Sequence, residues 1–232
     1  MLQLYKLIAV SGLKNSGKDT ASSMLQYLLS VPKIFRFYWI YKLNLPFIKI
    51  YKKVAFADPL KEMLANLLNV PKWWFNDRNF KENIFVNFNT LDLCLKESLP
   101  KERILSDNKF NKIIKSNKPF VNDYDLSIRQ LLQYWGTEIC LQYLTSNIWI
   151  NATLKKVKNK FTIITDLRFK TEANKVKQFD GKIIYISRPG CNPGNHQSEK
   201  EVIELLDNNQ FDYVVYNNGS LKDLFNNLKK LI

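Results

Sequence analysis

The sequence predicts an α/β fold in which helices cover both faces of a five-stranded parallel sheet. The chain has 232 residues, of which 46% are hydrophobic and 24% charged, enough for one domain with a sizeable core. Near the start, a short apolar run leads into a glycine-containing loop and then into residues with helical spacing, which is how a βαβ unit opens. Further along, apolar runs alternate with helical patterns, as in parallel sheets covered on both faces.

The first strand and the first helix lie on either side of that loop. Residues 4–11 form an apolar run that ends in small residues, which is typical of a buried strand. Residues 18–30 place their apolar side chains at helical spacing. Pro32 cannot continue this helix and therefore ends it.

Four further strands and the intervening helices follow. We predict strands at residues 54–56, 161–165, 182–187 and 212–216. Asp58 can cap the next helix and Pro59 suits its first turn. Ser198 is a candidate cap of a later one. The helical patterns cover residues 60–68, 127–149 with a bend near Gly136, 170–179, 199–206 and 221–232.

The charge is strongly positive. Lys and Arg number 35 against 21 Asp and Glu, a formal net charge of +14. One interpretation is an anionic partner, either nucleotide phosphates or nucleic acid. The other is drift in composition, because the chain is rich in Lys, Asn, Ile, Phe and Tyr, which AT-rich codons supply. Both interpretations stay open at this point.

Cysteine and histidine usage argues against a zinc or redox site. The three cysteines are far apart, so we expect reduced thiols in a cytosol-like compartment. The one histidine, His196, is expected to have a structural role or to contact a nucleotide edge. No segment has the features of a signal peptide or a membrane span, and we expect a cytoplasmic protein.

The glycine loop carries the strongest functional signal. Residues 12–18 match the pattern G-x-x-x-x-G-K. Gly12 and Gly17 let the backbone curl with its N–H groups pointing inward, and the following helix adds its N-terminus, so the loop can bind anionic oxygens. Lys18 can reach the β and γ phosphates of ATP. We therefore predict an ATP-binding set: Gly12, Lys14, Asn15, Ser16, Gly17, Lys18, Asp19, Thr20 and, further along the chain, Arg188.

The candidate magnesium ligands depart from the usual pattern of such loops. Asp19 stands where such loops usually have Ser or Thr, but a carboxylate can hold Mg²⁺ directly or through water. Thr20 is a second candidate. Asp166 follows a predicted strand and can order Mg²⁺ or its waters.

Charged residues at the carboxyl ends of predicted strands complete this picture, because ligands bind there in open α/β sheets. Arg168 can bind a phosphate, and Arg188 follows a later strand in the same way. We take Lys18, Asp166 and Arg168 as the catalytic set. Glu172, four residues after Arg168, either contributes to the site or only pairs with Arg168 on the surface.

An acceptor site is predicted mainly on a helix further from the loop. Arg129 and Gln133 share one helix face, and can hold an acceptor phosphate and a base edge. A plain solvated face would look the same. The full acceptor-binding set is Asp58, Arg78, Lys81, Arg129, Gln133, Glu138, Arg168 and Glu172.

Five segments, in this order, resemble the deoxynucleoside monophosphate kinases of bacteriophages and large DNA viruses. They are SGLKNSGKDT (11–20), AFADPLKE (55–62), RQLLQYWGTE (129–138), TDLRFKTE (165–172) and HQSE (196–199). The resemblance implies an adenylate-kinase-like P-loop fold and transfer of the ATP γ-phosphoryl group to a deoxynucleoside 5′-monophosphate with Mg²⁺, for dNTP synthesis. Lys18 and the loop would hold ATP, while Arg129, Gln133 and Arg168 would lie near the acceptor.

On this reading the chain is one kinase domain, residues 1–232. Its core spans about residues 1–31, 53–70 and 121–232. Residues 71–120 form a lid and acceptor region, which we expect to contain helices and a mobile loop. Residues 32–52 look like an inserted hairpin or helix pair, either a packing element or a surface for a membrane or partner.

Two departures and two alternatives remain. Family members often carry an arginine soon after the GTE of residues 136–138, whereas residues 139–142 contain none, and the insertion is the other departure. Animal-type phosphomevalonate kinases have similar glycine loops, so another phosphorylated acceptor is possible. A catalytically impaired nucleotide- or nucleic-acid-binding protein is the other alternative. We expect no stable nucleic-acid complex and leave a homodimer open.

Overall fold

The computed structural model describes residues 2, 5–83, 85–86, 126–136, 147–157, 160–194 and 196–232. The chain divides into two compact units. The first comprises Met1–Phe56 and Ile150–Ile232, and the second is Ala57–Trp149. Residues 57–70 and 121–149, which we assigned to the core, therefore belong to the second unit. Cys94, Cys140, Glu138 and the sequence at 139–142 lie outside the described residues.

The described strands, in chain order, are β1 (Leu7–Ser11), β2 (Lys52–Val54), β3 (Phe85–Val86), β4 (Leu126–Ser127), β5 (Thr162–Leu167), β6 (Lys182–Ser187) and β7 (Tyr213–Tyr216). Five of them form one sheet in the first unit, in the order β2–β5–β1–β6–β7, and every neighbouring pair is parallel. β3 and β4 pair antiparallel in the second unit.

The described α-helices are α1 (Lys18–Ser30), α2 (Tyr38–Lys42), α3 (Asp58–Leu67), α4 (Arg78–Asn83), α5 (Ile128–Gln133), α6 (Ile148–Val157), α7 (Lys170–Gln178), α8 (Gln197–Asp207) and α9 (Leu221–Lys229). Short 3₁₀ turns span Lys33–Phe35 and Lys72–Phe75. None of the helices in the described ranges is both long and apolar enough to cross a membrane.

Both faces of the parallel sheet are covered. Successive side chains of a strand point to opposite faces. Ile8 and Val10 of β1 pack in a cluster with residues of α1 and α9. Leu7 and Ala9 pack in another with residues of α6, α7 and α8. The predicted fold class, a P-loop fold with a five-stranded parallel sheet between layers of helices, is confirmed.

Several element boundaries were predicted closely, since α1 and β6 have the predicted bounds. β5 differs, because it continues to Leu167, so Asp166 lies within the strand and does not follow it. The register between β1 and β5 shifts near Ser11, where Ala9 pairs with Ile164 but Ser11 pairs with Leu167. An extra residue in β5 thus bulges out where the strand approaches the glycine loop.

The insertion contains no β-strand pair, so it is not a hairpin. It consists of a 3₁₀ turn, the five-residue α2 and an irregular return to β2. Tyr41 and Phe47 form edge-to-face ring pairs with Tyr27 of α1, and Tyr38 contacts Phe225 of α9. One side of the insertion is therefore a packing element of the first unit.

The second unit has its own apolar core, which includes Leu60, Leu64, Phe75, Ile128 and Leu131. Ala57, not Asp58, is the N-cap of α3, and no side chain caps this helix. A π-helical turn follows α5 at residues 134–136, which is the irregularity expected near Gly136.

Candidate active site

The glycine loop curls tightly between β1 and α1. Gly12 has φ +155°, Asn15 +66° and Gly17 +90°, a region that glycine enters most readily. The Ser16 N–H donates to the Leu13 carbonyl at 3.2 Å and closes a turn. A Cβ atom on Gly12 would lie 2.5 Å from Ser16 Oγ and 2.9 Å from the Ile186 carbonyl oxygen. This close packing requires glycine at position 12.

Three side chains from distant parts of the chain hold the loop from outside. Asn217 Nδ2 donates to the Ser16 carbonyl at 2.8 Å, and the Arg188 guanidinium donates to the Asn15 carbonyl at 3.3 Å. Glu199 Oε2 accepts the Lys14 backbone N–H at 3.2 Å. The loop backbone is therefore fixed by its surroundings as well as by its own turns.

Lys18 occupies the first turn of α1 and bends back over the loop. Its Nζ donates to the Leu13 carbonyl at 3.2 Å. Burial lowers the pKa of the Lys18 ammonium, and the positive charge of Arg168 lowers it further. The carboxylates that act in the opposite direction on this pKa are those of Asp19, Glu199 and Asp166. Of the predicted catalytic residues, Asp166 and Arg168 thus both lie within electrostatic reach of Lys18.

Arg168 follows β5, and its partner is not the one that local spacing suggests. Its guanidinium donates to Glu199 Oε1 at 3.0 Å and to Ser198 Oγ at 3.2 Å. Of the two alternatives for Glu172, the surface pair with Arg168 is wrong, because Glu172 is buried and its carboxyl group binds backbone. Its Oε2 accepts the N–H groups of Arg168 at 2.7 Å and Phe169 at 3.0 Å, at the N-terminus of α7.

Glu172 is a buried carboxyl group beside another carboxylate. Burial raises its pKa to about 8, with a further upward contribution from Asp166, while the two backbone N–H groups act against the shift. Glu172 is therefore largely protonated near neutral pH. Its assignment to the acceptor site stays a prediction.

Asp166 is oriented by the bulge in β5. Its Oδ1 accepts the Phe56 backbone N–H at 2.7 Å, and neighbouring Thr165 donates its hydroxyl to the Val54 carbonyl at 3.3 Å. Both bonds run to the segment at the end of β2. The carboxylate is consequently held at the carboxyl edge of the sheet, near Lys18.

The start of α8 supplies the partners of Arg168. His196 is the N-cap of this helix, and its Nδ1 accepts the Ser198 N–H at 3.2 Å, so the prediction that Ser198 caps the helix is wrong. Ser198 and Glu199 are buried in the first turn. Sequence reasoning placed Glu199 only within a short motif and missed its contacts.

Two of the predicted acceptor residues in the second unit, Arg129 and Asp58, form ion pairs with other residues of that unit. Arg129 Nε donates to Glu82 Oε1 at 2.7 Å, joining α5 to α4. Asp58 lies 3.9 Å from Lys61 Nζ and 3.8 Å from Lys72 Nζ. The other described members of the set occupy helices of the same unit: Gln133 in α5, and Arg78 and Lys81 in α4.

Sequence comparison identifies the family. The sequence model of the deoxynucleotide monophosphate kinase family matches residues 78–228, about two thirds of the chain. The chain belongs to this family. The kinase is 23% identical over 252 residues to the deoxynucleotide monophosphate kinase of Enterobacteria phage T4, covering 98% of each chain. It is 24% identical over 255 residues to that of Escherichia phage RB69, covering 98% of this chain and 99% of the phage protein.

A viral relative and one solved structure align as well. The "Putative deoxynucleotide monophosphate kinase" of Acanthamoeba polyphaga mimivirus is 28% identical over 115 residues, which span 43% of this chain and 58% of the mimivirus protein. A dephospho-CoA kinase from Campylobacter jejuni aligns over 97% of this chain and 94% of its own, with 15% identity and a TM-score of 0.37.

The glycine loop of this kinase fits a phosphate chain. The buried Ser16 hydroxyl has no hydrogen-bond partner within the described part of the chain. Lys18 Nζ donates to the Leu13 carbonyl, an acceptor that a phosphate oxygen can replace. For Mg²⁺, Asp19 and Asp166 both lie within electrostatic reach of Lys18 and offer oxygen ligands. Across the described ranges, no cluster of three acidic, histidine or cysteine side chains forms a ready metal site.

Proposed function

We propose that this chain transfers the γ-phosphoryl group of ATP to the phosphate of a deoxynucleoside 5′-monophosphate. One observation carries the proposal: a curled glycine loop with Lys18 folded over it lies within electrostatic reach of Arg168 at the end of a parallel strand. Such an arrangement suits phosphoryl transfer, which depends on positioning and on neutralising charge more than on covalent chemistry.

The glycine loop binds ATP, the phosphoryl donor. The N-terminus of α1 and the loop N–H groups other than those of Lys14 and Ser16, which are donated within the protein, bind the phosphate oxygens. The Lys18 ammonium exchanges the Leu13 carbonyl for the β and γ phosphates. The lowered pKa of Lys18 fits this role, because the negative charge of a bound phosphate would favour the charged form of the half-buried ammonium.

Lys18 and Arg168 supply positive charge that stabilises the negative charge developing on the transferred phosphoryl group. Glu199 and Ser198 fix the Arg168 guanidinium, so it does not need to reorganise during transfer. Asp19 and Asp166, with Thr20 as a further oxygen donor, would hold Mg²⁺, which would supply positive charge against the phosphates.

The acceptor is assigned to residues of the second unit. The Arg129 guanidinium has several N–H donors arranged to bind the oxygens of the monophosphate. Its Nε donates to Glu82, which fixes the orientation of the guanidinium. Gln133, one turn further along α5, would hydrogen-bond the base edge. This division gives each substrate its own set of cations.

A coupled assay of ADP release tests the proposal. The purified chain is incubated with ATP, Mg²⁺ and each of dAMP, dCMP, dGMP and dTMP. Turnover is expected with at least one of them, and Lys18→Ala is expected to lower it by roughly 100-fold or more. Lys155→Ala, at an exposed lysine on α6, is the matched control and should match the wild type. Circular dichroism and thermal unfolding establish that both variants are folded.

The same panel separates the alternatives. If phosphomevalonate is phosphorylated and none of the deoxynucleotides is, the protein would still be a kinase but its acceptor would be phosphomevalonate. Salt-dependent binding of DNA without any ADP release would contradict the enzyme assignment altogether.

A further inference from the structure

The outward side of the insertion is unusually apolar. Fourteen large hydrophobic side chains are exposed among the described residues, and eight of them fall between residues 34 and 50. Trp39 is 63% exposed and Ile48 84%. We call this outward side of residues 33–52 the apolar–basic surface, because exposed lysines lie among the hydrophobic side chains. Exposed apolar patches of this kind mark sites of interaction.

Charge on the same segment has one sign. No aspartate or glutamate occurs between Asp19 and Asp58. The insertion carries Lys33, Lys42, Lys49 and Lys52 as exposed cations, and Lys229 of α9 lies 4.8 Å above the ring of Phe37. An anionic partner is thus complementary to the surface over its whole length.

The outward direction of these side chains is set by packing on the opposite side. Tyr38, Tyr41 and Phe47 occupy the side that faces α1 and α9. Arg36 is buried, and its Nε donates to the Val31 carbonyl at 3.1 Å. With the inner side filled by aromatic rings, Trp39 and its neighbours cannot turn inward to the core of the first unit.

We propose that the apolar–basic surface binds an anionic phospholipid surface. Trp39 and Ile48 enter the boundary between headgroups and acyl chains, while Lys42 and Lys49 pair with lipid phosphates, as in amphipathic segments that lie in a membrane interface. This binding is independent of the phosphotransferase activity proposed above, because none of these residues belongs to the candidate active site.

Residue types favour lipid over a protein or nucleic acid. Lysine is depleted in protein–protein interfaces, where arginine is enriched, yet every exposed cation of the surface is lysine. Nucleic-acid platforms use aromatic rings to stack on bases. The surface exposes three such rings, but its other five exposed hydrophobic side chains are aliphatic and have no face to stack: Ile34, Leu43, Leu45, Ile48 and Ile50. Aliphatic side chains among lysines suit an acyl boundary with anionic headgroups.

Vesicle flotation with the full chain tests the proposal. Binding is expected to vesicles of phosphatidylcholine with phosphatidylserine, to weaken as salt screens the charges, and to be absent with phosphatidylcholine alone. Replacing Lys42→Gln and Lys49→Gln together should weaken binding by roughly 25-fold, about fivefold for each lysine. Replacing Trp39→Ser and Ile48→Ser together should weaken it by more than about tenfold.

The matched control variants remove exposed lysines and an exposed aromatic ring from positions outside the apolar–basic surface. Lys155→Gln with Lys177→Gln removes two exposed lysines, and Phe179→Ser removes an exposed aromatic ring. Both should bind vesicles like the wild type. All variants should keep wild-type ADP release and thermal unfolding, which shows that the fold is intact.

Four results would overturn the proposal. The wild type does not bind vesicles, or it binds neutral and anionic vesicles equally. The control variants lose as much vesicle binding as the test variants, or a molecule other than lipid binds this surface. Self-association in sedimentation velocity that Trp39→Ser with Ile48→Ser abolishes would assign the surface to a second copy of the chain. Binding of labelled single-stranded DNA that the lysine pair abolishes would assign it to nucleic acid.

Discussion

The Glu199 carboxylate accepts a hydrogen bond from the Arg168 guanidinium at 3.0 Å. Its other oxygen accepts the backbone N–H of Lys14 in the glycine loop at 3.2 Å. Only 6% of Glu199 is exposed, so solvent does little to screen these contacts. One buried carboxylate therefore sets the position of the loop and of Arg168 at the same time.

Removing the Glu199 charge should loosen Arg168. Glu199→Gln keeps the shape of the side chain but replaces a charge-assisted hydrogen bond with a weaker one. We expect kcat/KM for the best deoxynucleotide to fall roughly tenfold, since bonds to charged groups contribute about 1.5–3 kcal/mol. Glu204→Gln, at an exposed glutamate of the same helix, is the control. Equal kinetics in the two variants would mean that Glu199 does not position Arg168.

The parts of the fold that sequence predicted best are those fixed by local patterns. The glycine loop needs a strand before it and a helix after it, which placed β1 and α1. The end of β5 was missed because Asp166 looks like a residue that leaves a strand. It stays within the strand because the Phe56 backbone N–H, just after β2, donates to the Asp166 carboxylate, and the neighbouring Thr165 hydroxyl donates to the Val54 carbonyl of β2.

The site was predicted less completely, for a related reason. Arg168 and Glu172 have the spacing of a helical pair, but the partner that Arg168 finds is Glu199, which only the packing of α8 brings close. Asn217 was missed altogether. It follows the last strand of the sheet directly, so the rule that drew attention to residues after β5 and β6 would also have found it.

Asn217 should act as a positioning residue for the loop. Asn217→Ala removes the donor that holds the Ser16 carbonyl, so the loop samples other conformations and binds phosphate less well. We expect KM for ATP to rise by roughly fivefold, the size of one neutral hydrogen bond, with a smaller change in kcat. Asn226→Ala, at an exposed position of α9, should leave both constants unchanged. A fall in thermal stability with KM for ATP unchanged would assign Asn217 a structural role alone.

Gly12 should not tolerate a side chain. Gly12→Ala would place a Cβ atom 2.9 Å from the Ile186 carbonyl oxygen, and backbone cannot move aside as a flexible side chain can. We expect the loop to be displaced, with ATP binding by calorimetry weakened at least tenfold and turnover lost in proportion. Gly194→Ala is the control, because its Cβ would meet only Glu199 Cγ at 3.9 Å. Wild-type ATP affinity in Gly12→Ala would contradict the proposed role of the loop.

Glu172 should make folding stability depend on pH. Its pKa of about 8 in the folded chain lies above the ordinary 4.5, so between these values the folded state binds more protons than the unfolded state. The free energy of unfolding therefore falls as pH rises through this window. Glu172→Gln keeps an acceptor for the backbone N–H groups and cannot ionise.

Denaturant unfolding of wild type and Glu172→Gln at about pH 5 and about pH 9 measures this effect. The two proteins should be similarly stable at the lower pH. At the higher pH the variant should be more stable by about 1 kcal/mol or more, because a shift of one pKa unit corresponds to about 1.4 kcal/mol. Glu204→Gln should follow the wild type at both. Parallel pH dependences of wild type and Glu172→Gln would show that Glu172 ionises without cost in the folded chain, and that its burial beside Asp166 does not hold the proton.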